Sequence, residues 1–93
     1  MSNKKDNIKL PENFTIGVVT KQKSDIEMKI EELDEIVFDL SEINRIDTAG
    51  FQLILYIKKF AEKNGKLVRF LSPSDEVIKI FDFYNKSTVL GDL

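Results

Sequence analysis

The spacing of apolar residues along this chain switches between a strand period and a helix period three times. That alternation confines it to a layered α/β architecture with right-handed crossovers. Ile8 to Leu10 is a short apolar-polar-apolar run closed by Pro11, read as an edge strand. From Val18 to Leu33 the apolar positions Val19, Ile26, Ile30 and Leu33 are spaced by seven, four and three, a helical stripe. Glu35 to Leu40 is short, rich in strand formers and almost continuously apolar, so it reads as a strand buried on both faces. A polar bend, Ser41 to Arg45, leads to Ile46-Asp47-Thr48-Ala49-Gly50. A helix over Phe51 to Lys63 follows and stops at Asn64-Gly65, where glycine takes the left-handed conformation without steric cost. Lys66 to Leu71 is another strand, and Ser72 is expected to cap a last helix with Pro73 at its first position. Val77, Ile78, Phe81 and Tyr84 give that helix its apolar face, and Thr88 to Leu90 are expected to add a short strand. The expectation is one domain over residues 7–93 behind a flexible lead of residues 1–6. Its core is a small, mostly parallel four-stranded sheet with helices packed on it.

Composition removes whole classes of chemistry. The 93 residues suffice for one domain that buries roughly two-thirds of its unfolded surface. With neither cysteine nor histidine, disulfides, thiol nucleophiles, cysteine–histidine zinc sites and imidazole acid–base catalysis are excluded. Fourteen basic residues against sixteen acidic ones give a net charge of −2, which lacks the basic footprint that nucleic-acid binding requires. The longest apolar stretch, Phe51 to Ile57, is far short of the roughly 20 residues of a membrane span. The polar Met1 to Asn7 lacks the apolar core of a signal peptide, so a cytoplasmic location is expected.

One place carries more polar chemistry than folding needs. Asp47 or Thr48 could each cap the following helix, yet both are present. No Glu or Gln stands three residues after either to complete a capping box. Gly50 is also unexpected, since glycine in a helix costs about 1 kcal/mol against alanine; close approach of another backbone, a partner or an anion would account for it. At about 100° per residue, Gly50, Ile54, Ile57 and Ala61 share one face with Leu53 and Phe60 alongside. Phe51 and Leu55 point elsewhere, toward the side of Thr48, Lys59 and Glu62. Either these two belong to the core under a neighbouring loop or tail, or they form an exposed apolar cluster rimmed by charge, a candidate interaction surface. A phosphate on Thr48 would sit at the positive end of the helix and add about −1.5 to −2 charge to that surface. Against a partner fitted to the unmodified hydroxyl, the charge would oppose binding without unfolding the domain.

Asp47-Thr48-Ala49-Gly50, preceded by a strand and bend and followed by an apolar helix, resembles the Asp-(Ser/Thr)-x-Gly signature of STAS domains. These include the bacterial anti-sigma factor antagonists. Glu35 to Ile43 is similar to the family's central strand and bend, Asn64-Gly65-Lys66 to its helix-to-strand turn, and Leu71 to Phe83 to its last strand-to-helix unit. The resemblance implies a non-catalytic regulatory module with Thr48 as the phosphoacceptor beside Asp47. It implies as partner an anti-sigma factor that is also a serine/threonine kinase. The partner-binding surface is then expected to comprise Asp47, Thr48, Ala49, Gly50, Phe51, Leu55 and Lys59. The chain departs from many members in carrying threonine for serine and in lacking an evident opening hairpin. That compact form is similar to STAS proteins of chemotaxis complexes and lipid-transport ATPases, so a constitutive, unmodified subunit is the alternative.

Other readings of the same residues are bland. Thr48 can be a plain cap, and Lys58, Lys59 and Lys63 a solvated face. The Glu31-Glu32-Leu33-Asp34-Glu35 run diverges around a helix and has no further ligand to complete a metal shell. A receiver domain would need an acidic pair after the first strand, where Pro11-Glu12-Asn13 offers one acid, and Walker and dinucleotide loops are absent. No enzyme activity, cofactor or metal is expected.

Overall fold

The structure is a computed structural model and describes residues 4–91. In chain order it runs β1 (Lys5–Lys9), β2 (Asn13–Phe14), α1 (Ile16–Glu32), β3 (Glu35–Asp39), β4 (Arg45–Ile46), α2 (Thr48–Lys63), β5 (Leu67–Leu71) and α3 (Asp75–Phe83), ending in a 3-10 turn, Ser87–Leu90. All strand pairs are parallel. They form two sheets, a three-stranded one ordered β1-β3-β5 and a two-stranded one of β2 and β4. The expected single four-stranded sheet is therefore replaced by three strands plus two. The tail makes a 3-10 turn where a fourth strand was expected, and Val89 and Leu90 pack back on the core. Of the lead expected over residues 1–6, Lys5 and Asp6 pair with Glu35 and Ile36 inside β1, and residues 1–3 lie outside the described range.

β3 alternates along its length. Ile36 and Phe38 are fully buried, while Glu35, Val37 and Asp39 are half-buried. The register places Asn7, Val37 and Arg69 side by side on the outer face, and Ile8, Phe38 and Phe70 on the inner one. A sheet covered on one face buries every second residue of its strands, so the reading of β3 as buried on both faces does not hold. Above the inner face, α1 contributes Val19, Ile26 and Ile30, and α2 contributes Leu53, Ile54, Ile57 and Ala61. Phe14, Leu40, Ile43, Phe51, Val77 and Phe81 are also among the core residues.

The caps follow local chemistry. α2 ends at Lys63 with Gly65 at φ +69°, as the Asn64-Gly65 pair requires. α3 starts later than expected. Ser72 is left-handed at φ +50°, and Ser74 is the cap, its hydroxyl accepting from the Val77 amide at 3.4 Å.

Candidate functional site

The short sheet of β2 and β4 sets the geometry of the site. Asn13 pairs with Arg45 and Phe14 with Ile46. Each two-residue strand runs straight into a helix, β2 into α1 and β4 into α2. Parallel pairing therefore brings two helix starts side by side, and each exposes amides that no carbonyl within its own helix can reach.

Asp47 serves both. Its Oδ1 accepts from the Gly50 amide at 3.0 Å, which is the N-cap of α2. Its Oδ2 accepts from the Ile16 amide, the first residue of α1, also at 3.0 Å. The cap residue of α1, Thr15, makes no side-chain cap bond; its hydroxyl donates instead to Asn13. One carboxylate thus staples two helices, which explains why an aspartate stands here rather than a simple hydroxyl cap. Partial burial pushes the Asp47 carboxyl up, but the backbone amides of Gly50, Ile16 and Ala49 together outweigh it and hold the group below the usual carboxylate value. The stability Asp47 contributes is fully present above the ordinary carboxyl pKa of about 3.9 and is lost as pH falls below it, through the lowered folded value. Asp47→Ala should cost about 1–2 kcal/mol in urea unfolding at pH 7. The gap between the two proteins should narrow below about pH 4; a gap that stays constant down to pH 2 would show that the carboxylate charge plays no part.

With Asp47 acting as the cap, Thr48 is free of that duty. It occupies the first helical position of α2 and is exposed. Its Oγ1 lies 3.4 Å from the hydroxyl of Tyr84, the C-cap of α3. Gly50 is buried because a Cβ there would come within 2.1 Å of the Phe14 carbonyl oxygen and 2.9 Å of the Ile46 side chain. The close approach foreseen for this glycine is thus to the backbone of β2.

The remaining residues expected at the site divide. Ala49 is half-buried and turns to the other side of the helix, where with Ile16, Val19, Leu53 and Tyr56 it lines an open groove between α1 and α2. There the Tyr56 hydroxyl donates to Glu27, which raises the phenol above its usual value and ties the two helices together. Leu55 is half-buried against the core, and Lys59 is exposed. Of the two alternatives open for Phe51, the structure has the core. The side chain is 5% exposed, edge-on to Phe81 at 4.7 Å between centroids and stacked on Tyr84 at 4.6 Å. The exposed aromatic side chain next to Thr48 is Tyr84, and Phe83, 76% exposed, packs edge-on against Tyr84. Neither was foreseen as a site residue. The one available signal was Phe83-Tyr84 at the end of an amphipathic helix whose face Phe81 already completes, leaving Phe83 without a place in the core.

Among the described residues there is no cluster of three or more metal-ligating side chains, and no helix long and apolar enough to cross a membrane. No curated protein matches the chain by sequence. Solved structures similar to it include two of SpoIIAA. The anti-sigma factor antagonist SpoIIAA in its unphosphorylated form superposes with a TM-score of 0.76 at 20% identity, covering 92% of this chain and 76% of that one. The Bacillus cell fate determinant SpoIIAA in its phosphorylated form gives a TM-score of 0.73 at 20% identity, covering 91% and 78%. At that identity the likeness speaks for the fold. The profile of the STAS domain matches residues 3–90, nearly the whole chain. With parallel strands feeding capped helices and the Asp47-Thr48-Ala49-Gly50 signature at the start of α2, the chain belongs to the STAS domain family.

Proposed function

We propose that this chain is a non-catalytic regulatory module of the cytoplasm that docks on a protein partner through the start of α2 and is released by phosphorylation of Thr48. The partner we infer is an anti-sigma factor that is also a serine/threonine kinase. The observation that carries the reading is the exposed hydroxyl of Thr48 at the first position of α2, relieved of capping by Asp47. Support comes from the fold: SpoIIAA, an anti-sigma factor antagonist, has structures similar to this chain in both unphosphorylated and phosphorylated forms.

In the modification, Thr48 Oγ1 forms a bond to the γ-phosphorus of a nucleoside triphosphate held by the kinase. The bond from that phosphorus to the nucleoside diphosphate breaks, and the hydroxyl proton leaves to a base of the kinase. The product carries about two negative charges beside the Asp47 carboxylate, whose oxygens are already turned to the Gly50 and Ile16 amides. The first turn of α2 tolerates an anion, so the fold survives. A partner surface fitted to a neutral hydroxyl does not, because it must desolvate the phosphate or face like charge.

The test is binding by folded variants to the protein captured with the unmodified chain. Thr48→Ala should bind within a few-fold of the parent. Thr48→Glu should keep its circular dichroism and melting temperature and lose roughly 100-fold or more in affinity, the size of a like-charge penalty of several kcal/mol. Equal binding by all three would overturn the switch and favour a constitutive STAS subunit.

A further inference from the structure

The hydroxyl of Thr48 does not face open water alone. Tyr84 closes the last turn of α3 and lies across the first turn of α2, touching residues three apart on one helix face. Its ring stacks on Phe51, and its hydroxyl stands at Thr48 Oγ1. The ring is held on both counts that matter for placement. Phe51 beneath it is itself wedged against buried Phe81, and Phe83 meets Tyr84 edge-on at 5.0 Å. The backbone of Tyr84 is fixed as the C-cap of α3, its amide donating to the Ile80 carbonyl. The phenol therefore reaches Thr48 from a different element, with its orientation set by packing rather than by the contact itself.

The distance between the two oxygens is informative. At 3.4 Å it exceeds the 2.5–3.0 Å of a full O–H···O bond. In the unmodified chain the two hydroxyls are thus neighbours rather than a tight pair. A phosphoryl group on Oγ1 projects three acceptor oxygens outward from that atom, into the space the Tyr84 hydroxyl already borders. A phenol donor to a phosphate oxygen is a charge-assisted bond, stronger than a bond between neutral groups. The geometry thus offers the modified state an interaction that the unmodified state only approaches.

We propose that Tyr84 is the positioning residue of the Thr48 switch: its hydroxyl borders Thr48 Oγ1 in the unmodified chain and donates to the phosphoryl group in the modified one. This rests on the reading of Thr48 as a phosphoacceptor, yet its test needs neither kinase nor partner. It can therefore fail while partner release stands, and the reverse.

The full chain carrying phosphothreonine at position 48 is prepared by semisynthesis, with Tyr84 and with Tyr84→Phe. The second ionisation of the phosphate is followed by phosphorus NMR across pH 4–9. Phenylalanine keeps the ring on Phe51 and removes the donor alone. A donor that favours the dianion lowers the phosphate pKa, so Tyr84→Phe should raise it by about half a unit. Asp47 and every other neighbouring charge are common to both proteins and cancel in the comparison. Identical pKa values in the two would overturn the proposal. A second readout comes from the tyrosine ring itself. The chain has two tyrosines and no tryptophan, so the hydroxyl-bearing ring carbon of Tyr84 gives one of only two labelled tyrosine signals, assigned by its loss in Tyr84→Phe. That signal should shift on phosphorylation while the Tyr56 signal holds; an unmoved Tyr84 signal would likewise contradict the assignment.

Discussion

Phe51→Ser is expected to destabilise the folded chain by about 3–5 kcal/mol, the cost of emptying an aromatic site in a packed core. Sequence spacing left open whether this side chain faces a partner or the interior, and the structure places it inside, with rings of α3 on two sides. Two losses combine in the variant. The buried ring area disappears, worth about 25 cal/mol for each Å². The edge-on contact with Phe81 and the stack with Tyr84 go with it, about 0.5–1.5 kcal/mol for each aromatic pair beyond area. Since small domains have about 5–15 kcal/mol in total, a substantial unfolded fraction at 37 °C follows. Phe51→Leu, which refills most of the volume, should lose clearly less. Urea unfolding of the three proteins measures this. A Phe51→Ser loss below 1 kcal/mol would show that the ring contributes little to the core, and would return it to the partner surface.

Gly50→Ala is expected to cost about 2–3 kcal/mol, the wrong sign for a glycine-to-alanine change in a helix. Intrinsic propensity alone would favour alanine by about 1 kcal/mol. The added methyl would come within 2.1 Å of the Phe14 carbonyl oxygen, closer than any real contact of this type. A flexible side chain could swing aside, but this neighbour is backbone of β2, paired to β4 at Ile46. The first turn of α2 must move outward instead, and with it the Gly50 amide that Asp47 caps. Overpacking of this kind costs about 1–3 kcal/mol and sometimes more. For a domain of this size the melting temperature should fall on the order of 15 °C. An unchanged or raised melting temperature would mean that the approach of β2 to α2 is looser than the structure gives.

The sequence carried the alternation of elements, the ends of α2 and the crowding at Gly50, because each is written in residues adjacent along the chain. The Asn64-Gly65 stop and the Val19-Ile26-Ile30 stripe need no distant partner to be recognised. What escaped it depends on contacts far apart in sequence. β2 and β4 are two residues each, too short to show any period, so a separate two-stranded sheet was not legible. Asp47 as a staple to α1 requires that Ile16 arrive beside it from 31 residues away. Phe51 was ambiguous because α2 is apolar on more than one side. Helical spacing shows which residues share a face, but only the docking of α3 decides that this face is covered. Tyr84 read as part of an amphipathic face, and its hydroxyl at Thr48 appears only once α3 is folded back on α2. Ser72 read as the cap of α3 because it precedes proline, and the left-handed turn at Ser72 moves the cap to Ser74.

The switch proposed for this chain requires the Thr48 hydroxyl to be a site of regulated negative charge. Its most direct test is the intact mass of the chain isolated from its source cells under several growth conditions, with fragmentation to locate any added group. A species heavier by one phosphoryl group is expected, carried on Thr48 and varying in proportion with conditions. A single unmodified mass throughout, or a phosphoryl group placed on another residue, would contradict it.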